Sequence, residues 1–407
     1  MKYGLIGEKL GHSFSKVIHE KIADYTYELK EIPKDGLDRF MKERAFLGIN
    51  VTIPYKSAVI PYLDYIDPTA KKIGAVNTVV NRDGKLYGYN TDFGGLKMLT
   101  EKAGFDYKGK KVLILGSGGT SHTAAALAES LGAESIITVS RSGEINYENV
   151  YSLHGDADFI INTTPAGMYP DTDSCPIETE KLSALSGVTD VVYNPLKTKL
   201  RIGAEKCGVK TVGGLYMLVC QAVLACSLFT GSELDTAKIS DEIYSQLVKE
   251  KQNIVLIGMP GSGKSTIGKA LSEALSKPFY DSDEIIASRY GNIPDIFAEK
   301  GEPYFRDKET EAVKEVSKLN GAVIATGGGA VLRKENVDSL RQNGKLFFLN
   351  RPLEDIIPTD DRPLSKDYEA LKKRFEERYD IYVSSADKEI FVDGCVENTV
   401  NRILESL

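Results

Sequence analysis

Short apolar runs recur along this chain, each followed by a stretch of helical or loop character. Between residues 108 and 212 they fall at 111–115, 135–140, 158–162, 188–192 and 209–212. That regular alternation predicts a parallel sheet with helices on both faces. The pattern restarts at Asn253, with runs at 253–257, 278–281, 321–325, 345–349 and 389–393. It predicts a second doubly wound parallel sheet. Residues 1 to about 100 also alternate short strands with helical stretches, less regularly. There 77–80 and 85–89 flank Asn81-Arg82-Asp83-Gly84, the signature of a hairpin turn. Residues 214–230 are apolar and helical in composition. Ser240 to Gln252 is polar, charged and rich in helix formers; it reads as a linker or the end of a helix. The fold class is α/β.

With 407 residues the chain exceeds one core; at roughly 150 residues per domain it should form two or three. Apolar content of 42% and charged content of 27% are those of a globular protein. A net charge of −7 argues against a nucleic-acid partner, which demands a basic face. No apolar run reaches the ~18 residues of a membrane span. The N-terminus enters a strand-like segment too early for a signal peptide. Five scattered cysteines form no CxxC pair, which suits reduced thiols in the cytoplasm. The four histidines show no zinc-binding spacing.

Two glycine-rich loops carry the first chemical information. Leu115-Gly116-Ser117-Gly118-Gly119-Thr120-Ser121 follows the run Val112 to Leu115 and precedes a helical stretch, Thr123 to Leu131. It fits a dinucleotide loop except that Ser121 replaces the last small apolar residue. After the next strand Arg141 stands where an NAD site would carry an acid, so a 2′-phosphate, hence NADP, is favoured. Upstream lie several polar clusters: His12-Ser13-Phe14-Ser15-Lys16, Gly48-Ile49-Asn50-Val51-Thr52-Ile53-Pro54-Tyr55-Lys56, Gly74-Ala75-Val76-Asn77-Thr78 and Gly88-Tyr89-Asn90-Thr91-Asp92. Singly, each reads as a turn or helix cap. Together they supply hydroxyls, amides, one amine and one acid, the groups that grip a polyhydroxy acid.

These clusters, the loop, Asn162-Thr163-Thr164-Pro165-Ala166-Gly167-Met168, Asp190-Val191-Val192-Tyr193-Asn194-Pro195 and Gly213-Gly214-Leu215-Tyr216-Met217-Leu218-Val219-Cys220-Gln221 occur in an order and spacing that resemble shikimate dehydrogenase over residues 1 to about 245. The resemblance implies a substrate lobe at 1–107, completed by the helical segment 214–245, and a Rossmann NADP lobe at 108–213. It implies 3-dehydroshikimate and NADPH in the cleft. Lys56 then matches the catalytic lysine and Asp92 its partner. A lysine ammonium beside a carbonyl can stabilise the oxygen's growing charge and protonate it. Ser13, Ser15, Thr52, Asn77, Asp92, Tyr193 and Gln221 match substrate positions; Gly116, Ser117, Gly118, Gly119, Thr120, Ser121, Arg141 and Gly214 match cofactor positions. Many members carry a second basic residue after the one at Arg141. Here Ser142-Gly143-Glu144-Ile145 follows.

The second loop, Gly258-Met259-Pro260-Gly261-Ser262-Gly263-Lys264-Ser265-Thr266, is a full P-loop between strand and helix. Its amides cradle phosphates, Lys264 reaches the outer phosphates and Ser265 ligates Mg²⁺. Asp281 and Asp283, at i and i+2, point to one side of an extended segment; either could equally be a helix N-cap or a solvated acid. Then come Gly301-Glu302-Pro303-Tyr304-Phe305-Arg306, Thr326-Gly327-Gly328-Gly329, Asp361-Arg362-Pro363-Leu364 and Arg378-Tyr379-Asp380-Ile381-Tyr382. In this order they resemble shikimate kinase over 253–407, with 246–252 as linker. The resemblance assigns Asp283 to the substrate hydroxyls as base, and Arg306 and Arg378 to the shikimate carboxylate. It gives Gly328 to close backbone approach, Gly261, Ser262, Gly263, Lys264, Ser265, Thr266 and a lid residue, Arg362, to ATP, and Asp281 with Ser265 to Mg²⁺.

The chain therefore reads as a two-lobed dehydrogenase followed by a P-loop kinase domain, acting on small molecules in the cytoplasm. It would reduce 3-dehydroshikimate with NADPH and phosphorylate the resulting shikimate with Mg·ATP. Two alternatives stand beside this. One is a quinate or NAD preference of the first unit. The other is a non-catalytic shikimate sensor gating a P-loop switch, against which the retained Lys56, Asp92, Asp283 and Arg306 speak. Oligomeric state is not legible in the sequence.

Overall fold

The computed structural model describes residues 1–11, 13–356 and 368–407. The chain divides into two compact units: Met1–Asn194 with Gly203–Gln246, and Pro195–Ile202 with Leu247–Leu407. Each is described by itself.

The first unit holds two sheets. One contains β1 (Tyr3–Gly7), β2 (Tyr27–Glu31), β3 (Gly48–Val51), β4 (Tyr65–Ile66), β5 (Thr78–Arg82) and β6 (Lys85–Tyr89), in the order β2-β1-β3-β5-β6-β4. It is mixed, because β5 pairs antiparallel with both β3 and β6. The expected turn narrows to Asp83-Gly84, both with positive φ (52° and 82°). Two such residues make a type I′ hairpin, whose twist matches the strands. The second sheet contains β7 (Lys111–Leu115), β8 (Ser135–Val139), β9 (Phe159–Asn162), β10 (Gly187–Asp190) and β11 (Lys210–Gly213), all parallel, ordered β11-β10-β9-β7-β8. All five strands fall on the runs predicted from the sequence.

Two helices, Thr91–Ala103 and Leu215–Thr230, connect these sheets through one core that includes Leu96, Leu99, Met217 and Cys220 with Val112 and Ile114. Each large aliphatic side chain buried there contributes about 1.5–3 kcal/mol. The helices approach closely at Gly95, where a Cβ would lie 2.7 Å from the Met217 carbonyl oxygen and 3.1 Å from Gln221 Cβ. That approach brings Gln221 to the helix start that carries Asp92.

The second unit has one parallel sheet: β12 (Asn253–Ile257), β13 (Phe279–Asp281), β14 (Val323–Ala325), β15 (Gly344–Asn350) and β16 (Lys388–Phe391), ordered β13-β14-β12-β15-β16. Apolar clusters cover both faces, one around Val255, Ile257 and Phe348, the other around Ile254, Leu256 and Phe347. Neighbouring strand residues point to opposite faces, so a continuous apolar run marks a strand buried on both sides. The polar segment 246–252, expected as a linker, is up to Lys251 the end of a helix, Thr236–Lys251. Ile243 and Leu247, four residues apart, are buried and anchor it. Among the described residues no helix is long and apolar enough to cross a membrane.

Candidate active sites

In the first unit the polar clusters converge on a cavity of about 570 Å³. Ser13, Ser15, Thr52, Lys56, Asn77, Asp92, Tyr193, Gln221, Thr120 and Gly214 all line it. Lys56 sits in the turn after β3, its carbonyl fixed by the Val76 amide. Asp92 is placed by the first turn of the helix Thr91–Ala103, which Asn90 caps by accepting from the Phe93 amide at 3.0 Å. The Lys56 Nζ–Asp92 Oδ2 distance is 2.6 Å, and both side chains are largely buried. An ammonium has three N–H donors. The carboxylate takes one and sets the direction of the others.

Around this pair several polar groups already bond to one another. Ser13 Oγ donates to Ser15 Oγ at 3.1 Å. Asn77 accepts from the Thr91 amide at 2.7 Å and donates to the Thr91 hydroxyl at 3.0 Å. Gln221 donates to the Leu218 carbonyl at 2.8 Å. The Tyr193 ring packs on Phe14, and burial pushes its phenol upward. The sequence reading missed the apolar wall formed by Leu10, Ile53, Met168 and Leu218. Isolated apolar residues beside turns carry no periodic signal that could have found them.

The glycine-rich loop 116–121 adjoins this cavity. Gly116 has φ +106°, and the following helix, Gly119–Ser130, has no side-chain N-cap, so its first amides can receive phosphate. A Cβ on Gly119 would come within 4.0 Å of Lys56 Cδ, so the lysine stem runs alongside the loop. The Ser121 hydroxyl turns inward to the Gly118 carbonyl at 2.6 Å and closes the loop on itself. At Gly214 any Cβ would overlap the Val191 carbonyl, so only glycine fits this point of the cavity lining. Arg141 is exposed, two residues beyond Val139, whose carbonyl accepts from the Gly116 amide. These features fit a dinucleotide phosphate.

The second unit builds its site from the P-loop and three strand ends. Gly258, Gly261 and Gly263 have φ of +149°, +85° and +93°, and Gly263 starts the helix Lys264–Leu275 without a side-chain cap. Lys264 folds back onto the carbonyls of Gly258 and Met259, at 2.9 and 2.8 Å. Ser262 is buried within the loop, and Thr266 is exposed at the helix start. Ser265 Oγ donates to Asp281 Oδ2 at 2.6 Å. A hydroxyl and a carboxylate so placed fit Mg²⁺, which takes the rest of its shell from phosphate and water.

Asp281 also caps the helix Ser282–Tyr290 by accepting from the Asp283 amide at 2.9 Å. The two acids therefore diverge, Asp281 toward Ser265 and Asp283 toward Gly327. Asp283 Oδ1 and Glu309 Oε1 are both out of reach of water and without partners. They lie 2.6 and 2.7 Å from the point where a Gly327 Cβ would stand. Burial, then the charges of Glu309 and Asp281, push the Asp283 carboxyl up to about 7. Burial also raises Glu309, against the pull of Arg306. Arg306 Nη1 donates to Glu309 Oε2 at 2.7 Å, and Arg378 Nη1 donates to the Gly328 carbonyl at 3.2 Å. The Tyr382 hydroxyl donates to that same carbonyl. A Gly328 Cβ would stand 2.6 Å from Pro260 of the P-loop. Arg362 lies outside the described residues, as does His12.

Sequence reasoning missed Glu302, Glu309 and Arg374. The available signal was spacing: 302, 306 and 309 share one face of a helix.

Comparison with known proteins now adds to the geometry. A shikimate dehydrogenase of Clostridium perfringens strain SM101 is 39% identical over 266 residues, covering 60% of this chain and 97% of that protein. The chain belongs to the shikimate dehydrogenase family. The shikimate dehydrogenase substrate-binding domain model matches residues 5–79. Shikimate dehydrogenase 1 of Peptoclostridium difficile superposes with a TM-score of 0.57 at 36% identity, over 61% of this chain and 98% of that one. A chorismate mutase/shikimate 5-dehydrogenase fusion from Clostridium acetobutylicum gives 0.57 at 37% identity, over 60% and 96%. Residues 260–407 match the shikimate kinase family model. A shikimate kinase domain thus follows the shikimate dehydrogenase in one chain.

Proposed function

We propose that the two sites act in turn on one small acid, through the residues placed above. The enzyme is bifunctional: it reduces 3-dehydroshikimate to shikimate and phosphorylates shikimate to shikimate 3-phosphate. The observation that carries the first step is Lys56, held at 2.6 Å by Asp92 and lying alongside the dinucleotide loop. Bound NADPH supplies the hydride to the carbonyl carbon. Lys56 donates a proton to the carbonyl oxygen as it becomes an alcohol, and regains one from solvent. Asp92 holds the ammonium and accepts from a substrate hydroxyl. Ser13 and Ser15 receive the acid's carboxylate side, while Asn77, Thr52 and Gln221 fix its hydroxyls. Arg141 favours the 2′-phosphate of NADPH.

In the second step bound Mg·ATP supplies the phosphoryl group. Arg306 and Arg378 anchor the carboxylate of shikimate, as suits guanidinium forks. Asp283, its Oδ1 turned to the glycine segment, accepts the proton of the 3-hydroxyl on its carboxylate. A carboxyl raised toward neutrality suits that task, although a loose phosphoryl-transfer transition state asks more for positioning than for proton removal. Lys264 leaves the loop carbonyls for the phosphate oxygens, and Ser265 with Asp281 receives the metal.

All five cysteines are free, which favours work in the reducing cytoplasm. The test is one cuvette. With 3-dehydroshikimate and NADPH, nicotinamide absorbance should fall; Mg·ATP added afterwards should produce shikimate 3-phosphate. Consumption of NADPH without that product would remove the second assignment.

A further inference from the structure

The anchor Arg306 is not waiting empty-handed. Every nitrogen of its guanidinium is engaged: Nη1 donates to Glu309, and Nε and Nη2 both donate to Glu302 Oε1, at 3.2 and 2.9 Å. The two acids differ in kind. The Glu309 side chain is 1% exposed, the Glu302 side chain 46%. One face of the guanidinium lies against Gly329, where any Cβ would overlap it. Of the two acids, Glu302 is therefore the one that solvent reaches.

We propose that Glu302 is a resident stand-in for the substrate carboxylate, holding the Nε–Nη2 edge of Arg306 and yielding it to shikimate. The proposal rests on the reading of Arg306 as the carboxylate anchor. Glu302 grips that edge through a single oxygen. A carboxylate arriving with both oxygens forms the stronger fork, two parallel N–H···O bonds. The exchange leaves the charge beside Arg306 unchanged, since one carboxylate replaces another. Glu302 adjoins Gly301, which breaks the helix Ile293–Ser317 with φ +79° and gives its first turn room to adjust. Half-buried Arg374, one turn before Arg378, feels the charge of Glu302 together with those of Arg378 and Arg306.

Competition of this kind has a signature opposite to that of a structural prop. Glu302→Gln in the full chain should lower the shikimate KM of the kinase reaction roughly two- to fivefold, the range of a part-exposed ion pair, with kcat within about twofold. ADP release would be followed at saturating Mg·ATP without NADPH. Glu302→Asp, whose shorter arm cannot make the same reach, should also lower KM while keeping an acid in the helix's first turn. Unchanged dehydrogenase activity and an unchanged thermal transition would establish that both variants fold. An unchanged or raised KM in both variants overturns the proposal. Arg306→Ala separates the two levels: if it leaves shikimate KM unaltered, the anchor reading itself fails; if it raises KM while the Glu302 variants do not lower it, only the stand-in fails.

Discussion

The two active sites meet their ligands in different electrostatic conditions. Around Lys56 the ammonium is paired with the Asp92 carboxylate, and the neighbouring hydroxyls and amides of Ser13, Ser15, Asn77 and Thr91 bond to each other. Around Asp283 the unit buries two carboxyl oxygens with no partner. The difference follows the chemistry. A carbonyl about to become an alcohol needs a proton donor held still, which a paired lysine supplies. A hydroxyl about to attack phosphorus needs an acceptor, and an unpaired buried carboxyl is one. Leaving such an oxygen unpaired costs free energy that water would otherwise offset, so the kinase site is the strained one of the pair.

The most direct way to break this contrast is to remove each centre in turn. Lys56→Ala should lower 3-dehydroshikimate reduction about 10²–10⁴-fold, the range of general acid catalysis, and leave kinase turnover intact. Asp283→Ala should do the reverse. Parallel NADPH-absorbance and ADP-release assays on each variant check both; loss of both activities from either change would end the division of labour. A smaller effect sharpens the comparison at the nucleotide loops. The P-loop backbone is shaped by three positive-φ glycines, whereas at the first loop the proposed discrimination falls to one exposed side chain. Arg141→Ala should raise the KM for NADPH roughly 10–100-fold, as losing a charge-assisted contact predicts, and leave that for NADH unchanged. Equal effects on the two cofactors would remove Arg141 from specificity.

The smallest expected effect concerns His19, a buried histidine of the dehydrogenase unit. It is fully buried, stacked on Tyr27, with Nδ1 2.7 Å from the Tyr25 hydroxyl. Burial holds its pKa down to about 3, against a weaker opposing contact with Asn50. Above pH ~6.5 the imidazole is neutral folded and unfolded alike. Below that the unfolded chain takes up a proton that the folded one refuses until about pH 3. Stability therefore falls as pH drops, by about 1.4 kcal/mol per unit. Unfolding followed from pH 6.5 to 5 should show a shallower acid slope for His19→Gln; identical slopes would mean that His19 does not titrate in this window.

Much of this was legible in the sequence for identifiable reasons. Strands buried on both faces write themselves as apolar runs, so β7, β9, β12, β14 and β15 stood out. Loops that bend backbone around phosphate need glycine at fixed spacing, and so declared themselves. The mixed first sheet was less visible, because its pairing depends on which strands meet, and that is decided far along the chain. Glu302 and Glu309 were hidden by company. In a helix crowded with Lys and Glu, spacing sets Glu309 on one face with Arg306 but does not say that this face is buried. Only the glycine segment facing it, remote in sequence, makes the difference.

Gly328 extends beyond its place in the substrate site. Its α-carbon leans on Pro260 of the P-loop, and its carbonyl receives Arg378 and Tyr382. One peptide unit thus touches the nucleotide's cradle on one side and the acid's anchor on the other. Coupling between two bound ligands has no preferred direction. Whatever factor bound nucleotide applies to the affinity for shikimate, shikimate must return to the nucleotide.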